Sequence, residues 1–136
     1  MKKKTVIITA ITIAVLAICV WGAYALLDNI FPKASPITQL EMSMIESVRL
    51  YDDEKKEIVI DDEKLHTLIS YINGAVPTRT MSVNDYPGVE PYYVVEVQLA
   101  ERFIRHMIYE DNGKAYIEIP YEGVYEIDKD AVGILK

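Results

Sequence analysis

The chain has 136 residues and a formal charge of −7, with 21 acidic against 14 basic side chains. All 21 acidic and 11 of the basic residues follow Leu27, so that part carries −10 and is no nucleic-acid binder, since phosphates demand Lys and Arg. The one cysteine, Cys19, precedes that part, which therefore has no disulfide or cysteine metal site; its length suits one small core and not two domains.

Lys2, Lys3 and Lys4 lead into 23 uncharged residues, 5–27, closed by Asp28. As a helix at about 1.5 Å per residue this run is about 35 Å long, against about 30 Å for a hydrocarbon core. Residues 1–4 read as a cytoplasmic basic tip and 5–27 as a transmembrane signal-anchor whose partner is the lipid bilayer. Positive charge stays inside, so the expected topology is single-pass in the cell membrane, N-terminus inside and C-terminal domain outside. Ala23-Tyr24-Ala25 also fits a signal-peptidase site, and secretion after cleavage near Ala25 is the alternative. The run continues through Leu26 and Leu27, which favours the anchor. Ile18 is too bulky for the position before a lipobox cysteine, so Cys19 reads as a small apolar residue.

Residues 28–43, with Pro32, Ser35 and Pro36, read as an extracytoplasmic linker, and 44–136 as an extracytoplasmic domain. In that domain 45–51 is a strand, 52–56 a turn and 58–60 a short second strand. Leu65, Leu68, Ile69 and Ile72 recur at i, i+3, i+4 and i+7, which predicts an amphipathic helix. Asp61 or Asp62 caps its start, and Gly74 and Pro77 mark its end. Residues 78–83 read as a third strand. A type II turn is expected around Pro87 and Gly88. Along 92–100, Tyr93, Val95, Val97 and Leu99 share one face, and Glu96 and Gln98 the other. Residues 102–110 form the next strand. Asn112-Gly113 predicts a type I′ hairpin that pairs Glu110 with Ala115, Tyr109 with Tyr116 and Ile108 with Ile117. Beyond them the pattern leaves open a last strand at 124–127 and a short terminal helix with Ala131, Val132 and Leu135. The fold class is α+β: a single amphipathic helix on an antiparallel sheet in the order β-β-α-β-β-β-β, preceded by a transmembrane helix.

Chemistry is sparse. His66 and His106 stand in no zinc-ligand spacing and read as satisfied or surface side chains. No serine lies in a GxSxG or SxxK setting. Asp52-Asp53-Glu54 and Asp61-Asp62-Glu63 lack the glycine and spacing of a calcium loop. No catalytic, metal or cofactor-binding residue is assigned, and no cofactor is expected. Arg102, Arg105 and His106 break the acidity; Arg105, diagonal to Glu118 in the expected register, reads as a structural pair. Tyr86, Tyr92 and Tyr121 flank prolines in expected loops, a pattern that suits a protein-binding rim.

The stretch from Ser82 to Pro87, a Tyr-rich strand, and the run 110–127 with Pro120-Tyr121-Glu122-Gly123 resemble small exported proteins of Gram-positive bacteria grouped as a domain of unknown function. The resemblance covers about residues 45–136. It implies an N-terminal membrane anchor with one extracytoplasmic domain and supplies no activity. The leading expectation is a membrane-tethered, non-enzymatic interaction domain that binds an extracytoplasmic protein or peptide, as a sensor, inhibitor, immunity or accessory factor. Its contact residues would be Asp85, Tyr86, Pro87, Tyr92, Tyr121 and Arg102. The alternative is a small-ligand or cation-binding domain using the concave sheet face.

Overall fold

The computed structural model describes residues 2–136; Met1, at the start of the expected basic tip, lies outside the described residues. Two compact units result, one ending at Pro32 and one spanning Lys33–Lys136. The first is a single helix, α1 (Lys2–Ile30), with the apolar side chains from Val6 to Ile30 uncovered. Its polar side chains bond back to the helix: Thr9 Oγ1 donates to the Thr5 carbonyl and Thr12 Oγ1 to that of Ile8, both at 2.9 Å. Such internal satisfaction is what a lipid environment demands. The helix is long and apolar enough to cross a membrane or to act as a signal sequence.

The second unit is the expected α+β fold. It contains β1 (Ile45–Asp52), α2 (Asp62–Asn73), β2 (Val76–Pro77), β3 (Tyr92–Leu99), β4 (Phe103–Asp111), β5 (Lys114–Ile119), β6 (Gly123–Ile127) and α3 (Asp130–Leu135). The strands form one antiparallel sheet in the order β1-β3-β4-β5-β6-β2. The hairpin between β4 and β5 has the expected register, and its turn residues Asn112 and Gly113 have φ of 49° and 78°, as a type I′ turn requires.

The alternation of each strand defines two faces. Leu50, Val95, Val97, Ile104, Ile108, Ala115, Ile117, Tyr125 and Ile127 lie on one and are buried. Leu68, Ile69 and Ile72 of α2 and Ala131, Val132 and Leu135 of α3 complete this core. Asp61 caps α2 by accepting from the Lys64 amide at 2.8 Å, and Asp62 and Glu63 suit the positive end of its dipole.

The opposite face is also covered. Residues 78–91 run across it, and beneath them Val94 and Met107 are buried. Buried Ser82 donates to Glu118 Oε1 at 2.6 Å and fixes the middle of this segment.

Several expectations need correction. The segment 58–60 is not a strand: the preceding Glu57 makes one isolated bridge to Tyr51, and 58–60 itself adds only a bond from the Ile58 amide to the Leu50 carbonyl. Ile58 and Ile60 pack against the core while Val59 points outward, so the alternation was real but the pairing was too short. Residues 78–83 are not a strand either; β2 ends at Pro77. The Thr78 and Thr80 backbones still reach Val124, but the Thr78 hydroxyl also bonds the Val124 carbonyl at 2.7 Å and takes the Thr80 amide at 3.1 Å. A side chain that competes for ladder partners ends the ladder. Gly88 does not have the positive φ that the expected type II turn needs; among the described glycines only Gly113 does.

Most of the expected linker, from Lys33 on, belongs to the domain. Ala34, Ile37 and Leu40 are buried in its core. Asn73 clamps this strap like a strand partner: its Oδ1 accepts from the Leu40 amide at 2.7 Å and its Nδ2 donates to the Leu40 carbonyl at 2.9 Å. Tyr125 donates its hydroxyl to the Ser35 carbonyl at 2.9 Å. The prolines exclude a helix here, but not an extended segment packed on a core.

Candidate functional site

On the face covered by residues 78–91, a cleft of about 490 Å³ opens beside β1. Its floor is Glu96 of β3, which is only 7% exposed. Strand pairing places Arg49 of β1 and Arg105 of β4 on either side of it, since Arg49 and Arg105 are both its cross-strand partners. Arg105 donates from Nε and Nη2 to Glu96 Oε1, at 3.2 and 3.0 Å. The Tyr51 hydroxyl donates to the same oxygen at 2.5 Å. Arg49 Nη1 lies 4.0 Å from Oε2. A carboxylate taken out of water needs such partners, because an unpaired charge there would cost several kcal/mol.

Tyr86 and Tyr92 form the opposite wall. Their ring centroids are 6.1 Å apart and the planes are tilted by 40°. Tyr86 is 50% exposed, while Tyr92 is half-buried. Burial, and then the hydrogen bond to Glu96, push the Tyr51 hydroxyl up to about 12. Burial, then the neighbouring Tyr86, Asp53 and Glu90, also raise Tyr92. Both tyrosines are therefore neutral hydrogen-bonding groups at any physiological pH. Asp52 at the end of β1 and Asp53, Lys55 and Glu57 just after it form the outer rim.

The residues expected at the site divide into groups. Tyr86 and Tyr92 line this cleft together. Asp85 and Arg102 line a neighbouring groove of about 310 Å³, and Arg105 lines both cavities. Tyr121, at φ 62°, donates its hydroxyl to Asp85 Oδ1 at 2.8 Å, which ties the β5–β6 turn to the covering segment. Pro87 is buried, so it supports the segment and is not itself presented.

Arg105 pairs with Glu96 directly across the ladder and not with Glu118, which accepts from Ser82. The expected diagonal geometry was right, but a directly opposite carboxylate is closer. Glu96, Arg105, Tyr51 and Arg49 were missed as a group. The signal was present: a lone charge inside Tyr-Tyr-Val-Val-Glu-Val-Gln-Leu, with a tight turn near Glu101 that brings Arg105 opposite.

His106 departs from the reading of a satisfied or surface side chain. It is fully buried on the core face, and neither ring nitrogen has a hydrogen-bond partner. Burial holds its pKa down to about 4, opposed by the Val95 backbone, whose approach to the ring falls short of hydrogen-bond geometry. His66 is exposed on α2. Among the described residues, no three His, Cys, Asp or Glu side chains come together as a metal site.

The described residues thus comprise a helix long and apolar enough to cross a membrane and a six-stranded α+β domain with a tyrosine-walled cleft. The chain belongs to the DUF5301 family, described as a domain of unknown function (DUF5300), which matches residues 28–126. It is also similar to a solved structure described as the NMR structure of the protein from Ruminococcus gnavus. The two are 31% identical with a TM-score of 0.55, over 71% of this chain and 98% of that one. No curated protein matches the chain.

Proposed function

We propose that the protein is a membrane-tethered, extracytoplasmic binding domain without catalytic activity of its own. Its cleft would receive a segment of a partner protein or peptide. One observation carries this reading: two partly exposed tyrosines face a buried, internally bonded Glu96–Arg105–Tyr51 cluster across an open cleft. Tyrosines contribute contact area with few rotors, and a floor already held by internal bonds lowers the ordering cost of binding. The uncharged run of α1 after three lysines supports a retained anchor with the domain outside. Asp85, Tyr121 and Arg102 extend the contact surface along the adjoining groove, with Pro87 as its support.

The test uses cells that make the full chain, treated with a membrane-impermeant crosslinker. The expected result is an adduct to a second protein that is lost in Tyr86→Ala/Tyr92→Ala while the membrane-bound chain persists at normal level. Adducts unaffected by the double substitution would refute the reading. A small-ligand site is the second reading, favoured by the cleft volume, which lies in the usual range for small molecules. It would show instead as a co-purifying low-mass compound released by the same substitutions.

A further inference from the structure

We infer that the segment entering this cleft presents a cationic side chain, lysine or arginine, to Glu96 beside the paired rings of Tyr86 and Tyr92. The inference rests on the reading of the cleft as a peptide site and specifies the chemistry of its occupant.

The two oxygens of Glu96 are treated differently. Oε1 takes three donors, from Tyr51 and from two nitrogens of Arg105. Oε2 has only Arg49 Nη1, at 4.0 Å, beyond hydrogen-bonding distance. The Arg49 side chain is 76% exposed, so this is a screened pair that contributes little and is cheaply displaced. Arg49 thus stands where an incoming cation would stand, and it leaves the strong position on Oε2 open. Arg105, by contrast, is committed. An anionic ligand that drew it away would strand Glu96, a buried carboxylate, without its main partner.

The surroundings favour the same sign. Tyr86 and Tyr92 offer ring faces to a cation at the mouth of the cleft. On its rim Asp52, Asp53 and Glu57 outnumber Lys55. Residues 33–136 hold 20 acidic and 11 basic side chains, a field that draws cationic segments and repels acidic ones.

The full chain in uncharged detergent micelles is titrated with acetyl-Gly-Lys-Gly-amide, acetyl-Gly-Arg-Gly-amide and acetyl-Gly-Glu-Gly-amide, with the ring signals of Tyr86 and Tyr92 followed by NMR. The cationic peptides should shift both rings saturably, and the acidic peptide should bind at least about tenfold more weakly, a difference of about 1.4 kcal/mol. Arg49→Ala should tighten the cationic peptides several-fold by removing the internal competitor, and Glu96→Gln should weaken them about tenfold. Arg49 is exposed, so the first variant stays informative if the second fails to fold. Added salt should weaken the binding. Stronger binding of the acidic peptide, weaker binding of the cations in Arg49→Ala, or no shift from either cation would overturn the inference. If the acidic peptide alone shifts the two rings, the cleft remains the binding site and only the charge assignment fails.

Discussion

His106 supplies the sharpest quantitative test of the core. It sits fully buried with both ring nitrogens unpartnered, and its pKa is about 4 in the folded domain against an ordinary 6.5. Between these values the unfolded chain holds the proton and the folded chain does not. Stability is therefore fully present above pH 6.5 and falls as pH drops towards 4. At about 1.4 kcal/mol per pH unit the loss over that window is about 3 kcal/mol. His106→Leu removes the titrating group at similar volume. It should hold its stability across the same window apart from the carboxylates common to both chains. At pH 7 it should be as stable as the parent or more so, because a neutral imidazole leaves an N–H buried without an acceptor. Urea unfolding of residues 33–136 at pH 7.5, 6, 5 and 4.5 measures both curves. Parallel pH dependence in the two chains would refute the reasoning and show that the imidazole is hydrated or bonded in solution.

Four further outcomes follow from the packing. Leu68→Ala, at a fully buried position of α2, should lose about 2–5 kcal/mol in denaturant unfolding. A chain beginning at residue 44 should be less stable than one beginning at 33 by about 3–6 kcal/mol, since it forfeits the buried Ile37 and Leu40, as differential scanning or urea melts would show. A Cβ at Gly123 would lie 2.5 Å from that of Ala34, so Gly123→Ala should destabilise by about 1–3 kcal/mol, and Ala34→Gly should restore much of the loss in the double variant. Tyr86→Ala should cost no more than about 1.5 kcal/mol, the worth of one aromatic pair, because the ring is half exposed; a larger loss in the same melts would make it a core residue.

The legible parts of the fold were those set by local periodicity or by a turn that permits few conformations. The stripe of α2 spans two turns and has one solution. Asn112-Gly113 sets the β4–β5 register, and with it the faces of Ile108, Ile117, Tyr109 and Tyr116. The illegible parts depend on partners far away in sequence. Nothing near Ala34, Ile37 and Leu40 announces that Asn73 and Tyr125 will hold that strap against the core. Residues 78–83 carry strand propensity, but Ser82 turns inward to reach Glu118, 36 residues on. The site was read in part. The tyrosines around the prolines were visible, but their floor was not, because Glu96 on a polar strand face looks solvated until a second layer covers that face. His106 differs from its expected satisfied or surface state because its surroundings are set by long-range packing: both flanking isoleucines, Ile104 and Ile108, turn to the core, and no hydrogen-bond partner meets the ring there.

Site-specific photocrosslinking reports whether a partner occupies the cleft. A benzophenone amino acid replaces Tyr86 in one version of the full chain and the exposed Ser70 of α2, on the other side of the sheet, in a second. A discrete crosslinked protein or peptide is expected from position 86, none from position 70, and loss of the adduct when Glu96→Gln is added. Equal crosslinking from both positions, or a specific adduct from position 70 alone, would contradict occupancy of the cleft.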